Sequence, residues 1–149
     1  NDRSGTGAWI KKANSPSIKS WSGYTFESIC FKHIASIKKA LGIDGIQTEE
    51  SSYTYRKKDG IEGFQIDMLI DRADNAINIC EAKFYNTEFV LSTQEAKKIR
   101  TRKALFRAAT NTKKQIFSTL ITSYGLLSPE LAEGVDQVLD MNALFHKTS

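Results

Sequence analysis

The chain has 149 residues, 40% apolar and 26% charged, a size and composition that fit one globular domain and exclude a disordered or fibrous polymer. No apolar run approaches the ~20 residues of a spanning helix, and no basic segment leads into an apolar stretch, so the expectation is a cytoplasmic protein with no membrane segment and no signal peptide. The net charge of +4 is uneven: residues 95–114 carry eight basic side chains against Glu95 alone, a net +7 that leaves the remainder at −3. One basic element on a slightly acidic body points either to an anionic partner or to a solvated helix face. Cys30 and Cys80 sit in apolar contexts and read as buried reduced thiols. His33 and His146 have no Cys or His at ligand spacing, which argues against zinc.

Residues 1–20 contain Gly5, Gly7, Pro16 and several Ser, and read as a linker or arm that docks through Trp9 and Trp21 onto a domain over 21–149. The polar opening without an initiator Met leads us to expect part of a longer protein. Gly23–Leu41 predicts one long helix, with Phe26, Ile29, Cys30, His33, Ile34, Ile37 and Leu41 recurring at helical spacing. Ser22 is placed to cap its start and Gly42 to end it. His33 lies in the apolar stripe and reads as a packed core histidine. Glu27 falls about 90° from the stripe's centre. It either complements the helix dipole only or leans over a sheet edge toward a site.

Ile46–Lys57 is strand-like, with Lys57-Lys58-Asp59-Gly60 as a turn. Gly63–Phe84 reads as two strands joined by a polar turn. Alternation puts Phe64, Ile66, Met68 and Ile70 on one face of the first strand, and Gln65, Asp67 and Leu69 on the other. On the second strand Ile77, Ile79, Glu81 and Lys83 share a face, opposite Asn78, Cys80, Ala82 and Phe84. With the turn centred on Asp74, Asp67 and Glu81 lie seven positions either side and are expected opposite one another. Their Cβ atoms would then be roughly 5 Å apart on one face. Ser92-Thr93-Gln94-Glu95 fits a capping box that opens a second helix running to about Ala109. Gln115–Tyr124 reads as a buried strand, Leu126–Gly134 as a loop or short helix, Val135–Leu139 as a short strand and Asp140–Phe145 as a helical turn. Helix, three strands, helix, strand, strand is an α/β order with a sheet layered by helices.

Two carboxylates and a lysine converging on one patch admit two readings. One is a cross-strand ionic cluster on a solvated face. The other is a site, since like charges so close repel unless a cation lies between them, and a divalent metal with oxygen ligands is the natural one. Ile77 and Ile79 on the same face favour the second, because ionisable groups at the edge of a buried face more often serve a site.

Glu27 on a helix, Asp67 and Glu81-Ala82-Lys83 on a hairpin, then a helix and a strand resemble the PD-(D/E)xK nuclease superfamily over about residues 21–125. The runs GYTFESIC, GFQIDMLIDR, NICEAKF and LITSYG, closing with VLDMNALF, are similar to the nuclease-like domain found C-terminal to an AAA-type ATPase module in bacteria and archaea. The resemblance implies a restriction-endonuclease-like αβββαβ core, a central mixed sheet flanked by helices. It implies catalytic residues Asp67, Glu81 and Lys83, with Asp67, Glu81 and Glu27 holding Mg²⁺ or Mn²⁺. Lys83 would orient the attacking water and offset charge on the transition state. Arg102, four residues before Phe106, matches a basic position of the family's second helix; with Lys98 and Lys103 it would contact DNA phosphates. The implied partners are nucleic acid, DNA ahead of RNA, and an N-terminal ATPase module, although no G-x-x-x-x-G-K-[ST] occurs in this chain. Ile66 stands where the family signature has proline. Since that superfamily has non-cleaving members, the alternatives are a silent nucleic-acid-binding or regulatory module of an ATPase, and a pure interaction domain.

Overall fold

The structure, a computed structural model, describes residues 24–85, 87–124 and 134–147. The expected arm over 1–20, the Ser22 cap, Trp9, Trp21 and nearly all of the 126–134 loop lie outside the described residues. The elements are α1 (Tyr24–Lys32), α2 (Ile34–Leu41), β1 (Thr48–Tyr55), β2 (Phe64–Arg72), β3 (Ala76–Lys83), α3 (Thr93–Thr110), β4 (Gln115–Thr122), β5 (Gln137–Asp140) and α4 (Met141–Lys147). They form an α/β structure with one five-stranded sheet in the order β1-β2-β3-β4-β5. The first three strands pair antiparallel, and β3-β4 and β4-β5 pair parallel, so the sheet is mixed. A tight hairpin can link antiparallel neighbours, whereas parallel ones need a crossover, which α3 supplies between β3 and β4. No described helix is long and apolar enough to cross a membrane.

Local chemistry accounts for most of the boundaries. The Asp59-Gly60 turn has both residues at positive φ, and Lys58 and Ile61 exchange backbone hydrogen bonds of 3.2 and 2.9 Å across it. Asn75, at φ 67°, completes the three-residue turn between Arg72 and Ala76, which pair with each other. Gly42, at φ 76°, ends α2 with its N–H on Lys39 O at 3.0 Å. Ser92 and Glu95 form the capping box of α3 in both directions, at 3.0 and 3.2 Å.

Helices cover both sides of the sheet. On one side Phe26, Cys30 and Ile37 of α1 and α2 bury against Met68, Ile70, Cys80, Ile121 and Met141. On the other, Phe106 of α3 packs on Phe64, Ile66, Ile77, Ile79 and Ile116. Ala96 and Ile99 of α3 meet Leu91 and Leu120 there. This is the narrow seam by which a helix with so much charge can pack at all.

Two expectations are corrected. The single helix over 23–41 is broken at His33, whose backbone leaves the helical region at φ −109°, ψ 33°. The side chain of His33 is exposed and not packed in the core, because the break shifts the helical phase at that position. The apolar residues of β2 do not share one face: Phe64 and Ile66 pack beneath α3, Met68 and Ile70 beneath α1 and α2. The cause is a β-bulge. Ser51 pairs with Leu69 but Tyr53 pairs with Ile66, so Asp67 and Met68 together oppose Ser52 alone. An extra residue inverts the in–out alternation on either side of it.

Candidate functional site

The bulge falls on Asp67, the first acid of the sequence constellation. The β2-β3 register is centred on Asp74, the centre assumed above, but its last pair is Met68↔Cys80, so the expected pairing of Asp67 opposite Glu81 on one face does not form; the bulge ends the ladder one step short of it. At that step the Asp67 carboxylate replaces a backbone partner: its Oδ2 accepts the Ala82 N–H at 2.9 Å. The bulged carboxylate leans to the α1 side. It is in hydrogen-bond contact with Glu27, and its charge also reaches the Cys30 thiol. Burial, then the charge of Asp67 and the contact with it, then the charge of Glu81, push the Glu27 carboxyl above its ordinary value. The Cys30 thiol is pushed up to about 12, mainly by burial, and burial also drives Cys80 upward. Both cysteines are free, buried and non-nucleophilic.

Glu81 leans the other way, toward α3. Its Oε1 pairs with Arg102 Nη1, and its Oε2 lies 3.7 Å from Lys83 Nζ. The Glu81 and Arg102 side chains are 15% and 18% exposed, so each charge depends on the other for solvation. Lys83 Nζ is also 3.8 Å from Glu95 Oε2. Glu95 does two jobs: Oε1 closes the capping box on Ser92 N–H, and Oε2 faces Lys83 and accepts from Tyr85 OH at 3.4 Å. Burial would raise the Glu95 carboxyl, but the Ser92 N–H and hydroxyl, then Lys83 and Tyr85, hold it below its ordinary value. The Tyr85 phenol is pushed up, first by burial and then by Glu95, and its ring stacks on Phe89 with centroids 3.6 Å apart.

The structure therefore brings Glu27, Asp67, Glu81 and Lys83 to one end of the β2-β3 pair, with Arg102 beside them. Among the described residues no three Asp, Glu, His or Cys side chains are gathered closely enough to hold a metal ion, since Glu81 is drawn off by Arg102. Lys103 is directed elsewhere. Its Nζ bonds Asp136 Oδ2 at 2.9 Å, and the same oxygen accepts Ser118 N–H, a clasp between α3 and the start of β5. Lys98 lines an open cleft of about 650 Å³ with Gly63, Phe64, Glu95, Lys97, Thr101 and Arg102 among its walls. Sequence reasoning had Glu95 only as a cap and gave Tyr85 and Lys97 no role. The capping box was the available signal for Glu95, because it pins the start of α3 and its acid close after Lys83. No protein-family model and no curated protein matches this chain.

Proposed function

We propose that this chain is a metal-dependent nuclease domain of the PD-(D/E)xK type, hydrolysing phosphodiester bonds in DNA on a restriction-endonuclease-like αβββαβ core, and that it is the C-terminal part of an ATPase. The observation that carries the reading is the contact of Glu27 with Asp67 at the point where β2 and β3 part, with Glu81 and Lys83 on the neighbouring strand. Glu27 and Asp67 side by side, with the charge of Glu81 raising Glu27 further, offer hard oxygen donors of the kind a divalent cation prefers. The donors fit Mg²⁺ or Mn²⁺ in chemistry, with Glu27 and Asp67 as the adjacent pair and Glu81 joining once released by Arg102. When bound, such an ion supplies Lewis acidity and a more acidic water.

The remaining roles belong to the chain's own side chains. Lys83 Nζ, held between Glu81 and Glu95, is a compact donor for the attacking water or a phosphate oxygen. The Ala82 N–H fixes the Asp67 carboxylate, so its second oxygen is oriented before anything binds. Arg102, Lys97 and Lys98 supply charge for the nucleic-acid backbone along α3.

The test is cleavage of a DNA duplex with Mg²⁺ or Mn²⁺. Asp67→Ala or Lys83→Ala should each reduce the rate about 100-fold or more; cleavage that survives in both variants removes the assignment. The Glu81–Arg102 pair favours one second reading, a silent nucleic-acid-binding or regulatory module of an ATPase, because a carboxylate neutralised by Arg102 needs no metal. That module would bind DNA in a salt-sensitive way and yield no metal-dependent product.

A further inference from the structure

Arg102 borders two spaces. On its inner side it closes, with Ile66, Ile79, Cys80, Glu81 and Ile99, a crevice of about 10 Å³, at most one water in size. On its outer side it forms part of the 650 Å³ cleft between α3 and Gly63–Phe64. Lys97 and Lys98, and Thr101 one turn further along α3, line that cleft, and among the described residues Lys97 and Lys98 form no ion pair. Glu95, the one acid among the described residues of the cleft wall, is already engaged by Lys83, Tyr85 and Ser92. The cleft is thus a cationic trough whose inner end is a guanidinium clamped on Glu81.

We propose that this cleft seats the phosphodiester backbone of one DNA strand, and that Arg102 is shared between that backbone and Glu81. The inference rests on the nucleic-acid reading above. A phosphate at the inner end of the trough matches the planar guanidinium fork as well as a carboxylate does. Arg102 moving to phosphate uncovers Glu81, and a divalent cation on Glu81 frees Arg102 for phosphate. Each ligand thereby favours the other, and the coupling is reciprocal. Arg102 is a positioning residue in this scheme, and Lys97 and Lys98 are the outer grip.

The experiment measures binding, not cleavage. Fluorescence anisotropy with a labelled DNA duplex and the matching single strand, in EDTA over a series of salt concentrations, compares the wild type with Lys97→Glu/Lys98→Glu. The control carries the same charge change elsewhere, Lys39→Glu/Lys113→Glu. The cleft pair should lose about 10- to 100-fold in affinity and about 2 units of salt slope on the duplex, with the control close to wild type. Equal loss in both double variants overturns the cleft while leaving DNA binding intact. No binding of either probe by the wild type overturns the cleft and the nucleic-acid reading together. In a second arm, calorimetric titration of Mn²⁺ without DNA should show about 10-fold tighter binding in Arg102→Gln than in the wild type, because Glu81 is released. Arg102→Lys, which keeps a charge near Glu81, should fall between them. Mn²⁺ affinity unchanged or weakened in a folded Arg102→Gln overturns the sharing of Arg102.

Discussion

The two ends of the β2-β3 pair solve the same problem in opposite ways. At the turn end, charge and polarity are matched within the chain. Arg72 forks onto both Asp74 oxygens at 2.9 and 2.7 Å and reaches Asn78 Oδ1 at 2.9 Å. Asn78, fully buried, donates onward to Thr119 Oγ1 and Gln137 Oε1 at 3.0 and 2.8 Å, so one network crosses four strands. The hydrogen bonds from Arg72 are the main cause that holds the Asp74 carboxyl below its ordinary value. At the other end the ladder stops, β2 bulges, and Glu27 meets Asp67 with its carboxyl pushed up. Satisfied buried networks fix a structure, and strained or like-charged groups persist where something outside the chain is to be bound. The difference between the ends, more than any single residue, is what makes the open end the candidate site.

Breaking the turn end should produce the largest change in stability. Asn78→Ala strands partners on three strands, and urea unfolding should show a loss of about 3 kcal/mol; a loss under ~1 kcal/mol would mean the network is incidental. Filling the open end should act in the other direction. Mn²⁺ at about 100 times its Kd should stabilise the wild type by about 2.7 kcal/mol. Thermal melts of Asp67→Asn should show most of that gain lost, whereas Arg72→Lys, at the turn end, should retain it.

Smaller effects sharpen the contrast. Ser92→Ala removes one half of the capping box and should cost about 1 kcal/mol in urea unfolding. Glu95→Gln preserves the box and should cost less, while losing the charge that faces Lys83. The smallest effect is the most specific. The folded-state pKa of Glu27 is raised, so the native state binds the extra proton and stability falls as pH climbs past the ordinary value of 4.5 toward the raised one. Glu27→Gln should therefore raise the urea midpoint at neutral pH, and the gain should vanish below pH 4.5. A gain independent of pH would show that Glu27 is not in charge conflict with Asp67.

Much of this fold is legible in the sequence because short-range chemistry dictates it. The Asp59-Gly60 turn, the hairpin centred on Asp74, the Ser92–Glu95 capping box and the Gly42 helix end each depend on a few adjacent residues, and each lies where the residues place it. The order helix, three strands, helix, two strands follows from hydrophobic period and, for α3, from its capping box, although the first helix is divided into α1 and α2. The candidate site was legible as a set of residues and not as an arrangement. Phe64, Ile66, Met68 and Ile70 alternate without interruption, so the pattern conceals the bulge at Asp67, which exists only because β1 pairs with β2 one residue out of step. His33 keeps helical spacing with its neighbours although the helix breaks there. The partners of the long charged side chains, Arg102 with Glu81, Lys83 with Glu95 and Lys103 with Asp136, were set only when α3 packed across the sheet. Period and turn chemistry are properties of consecutive residues, whereas a bulge and an ion pair between elements are properties of two segments brought together, and no single stretch of sequence carries them.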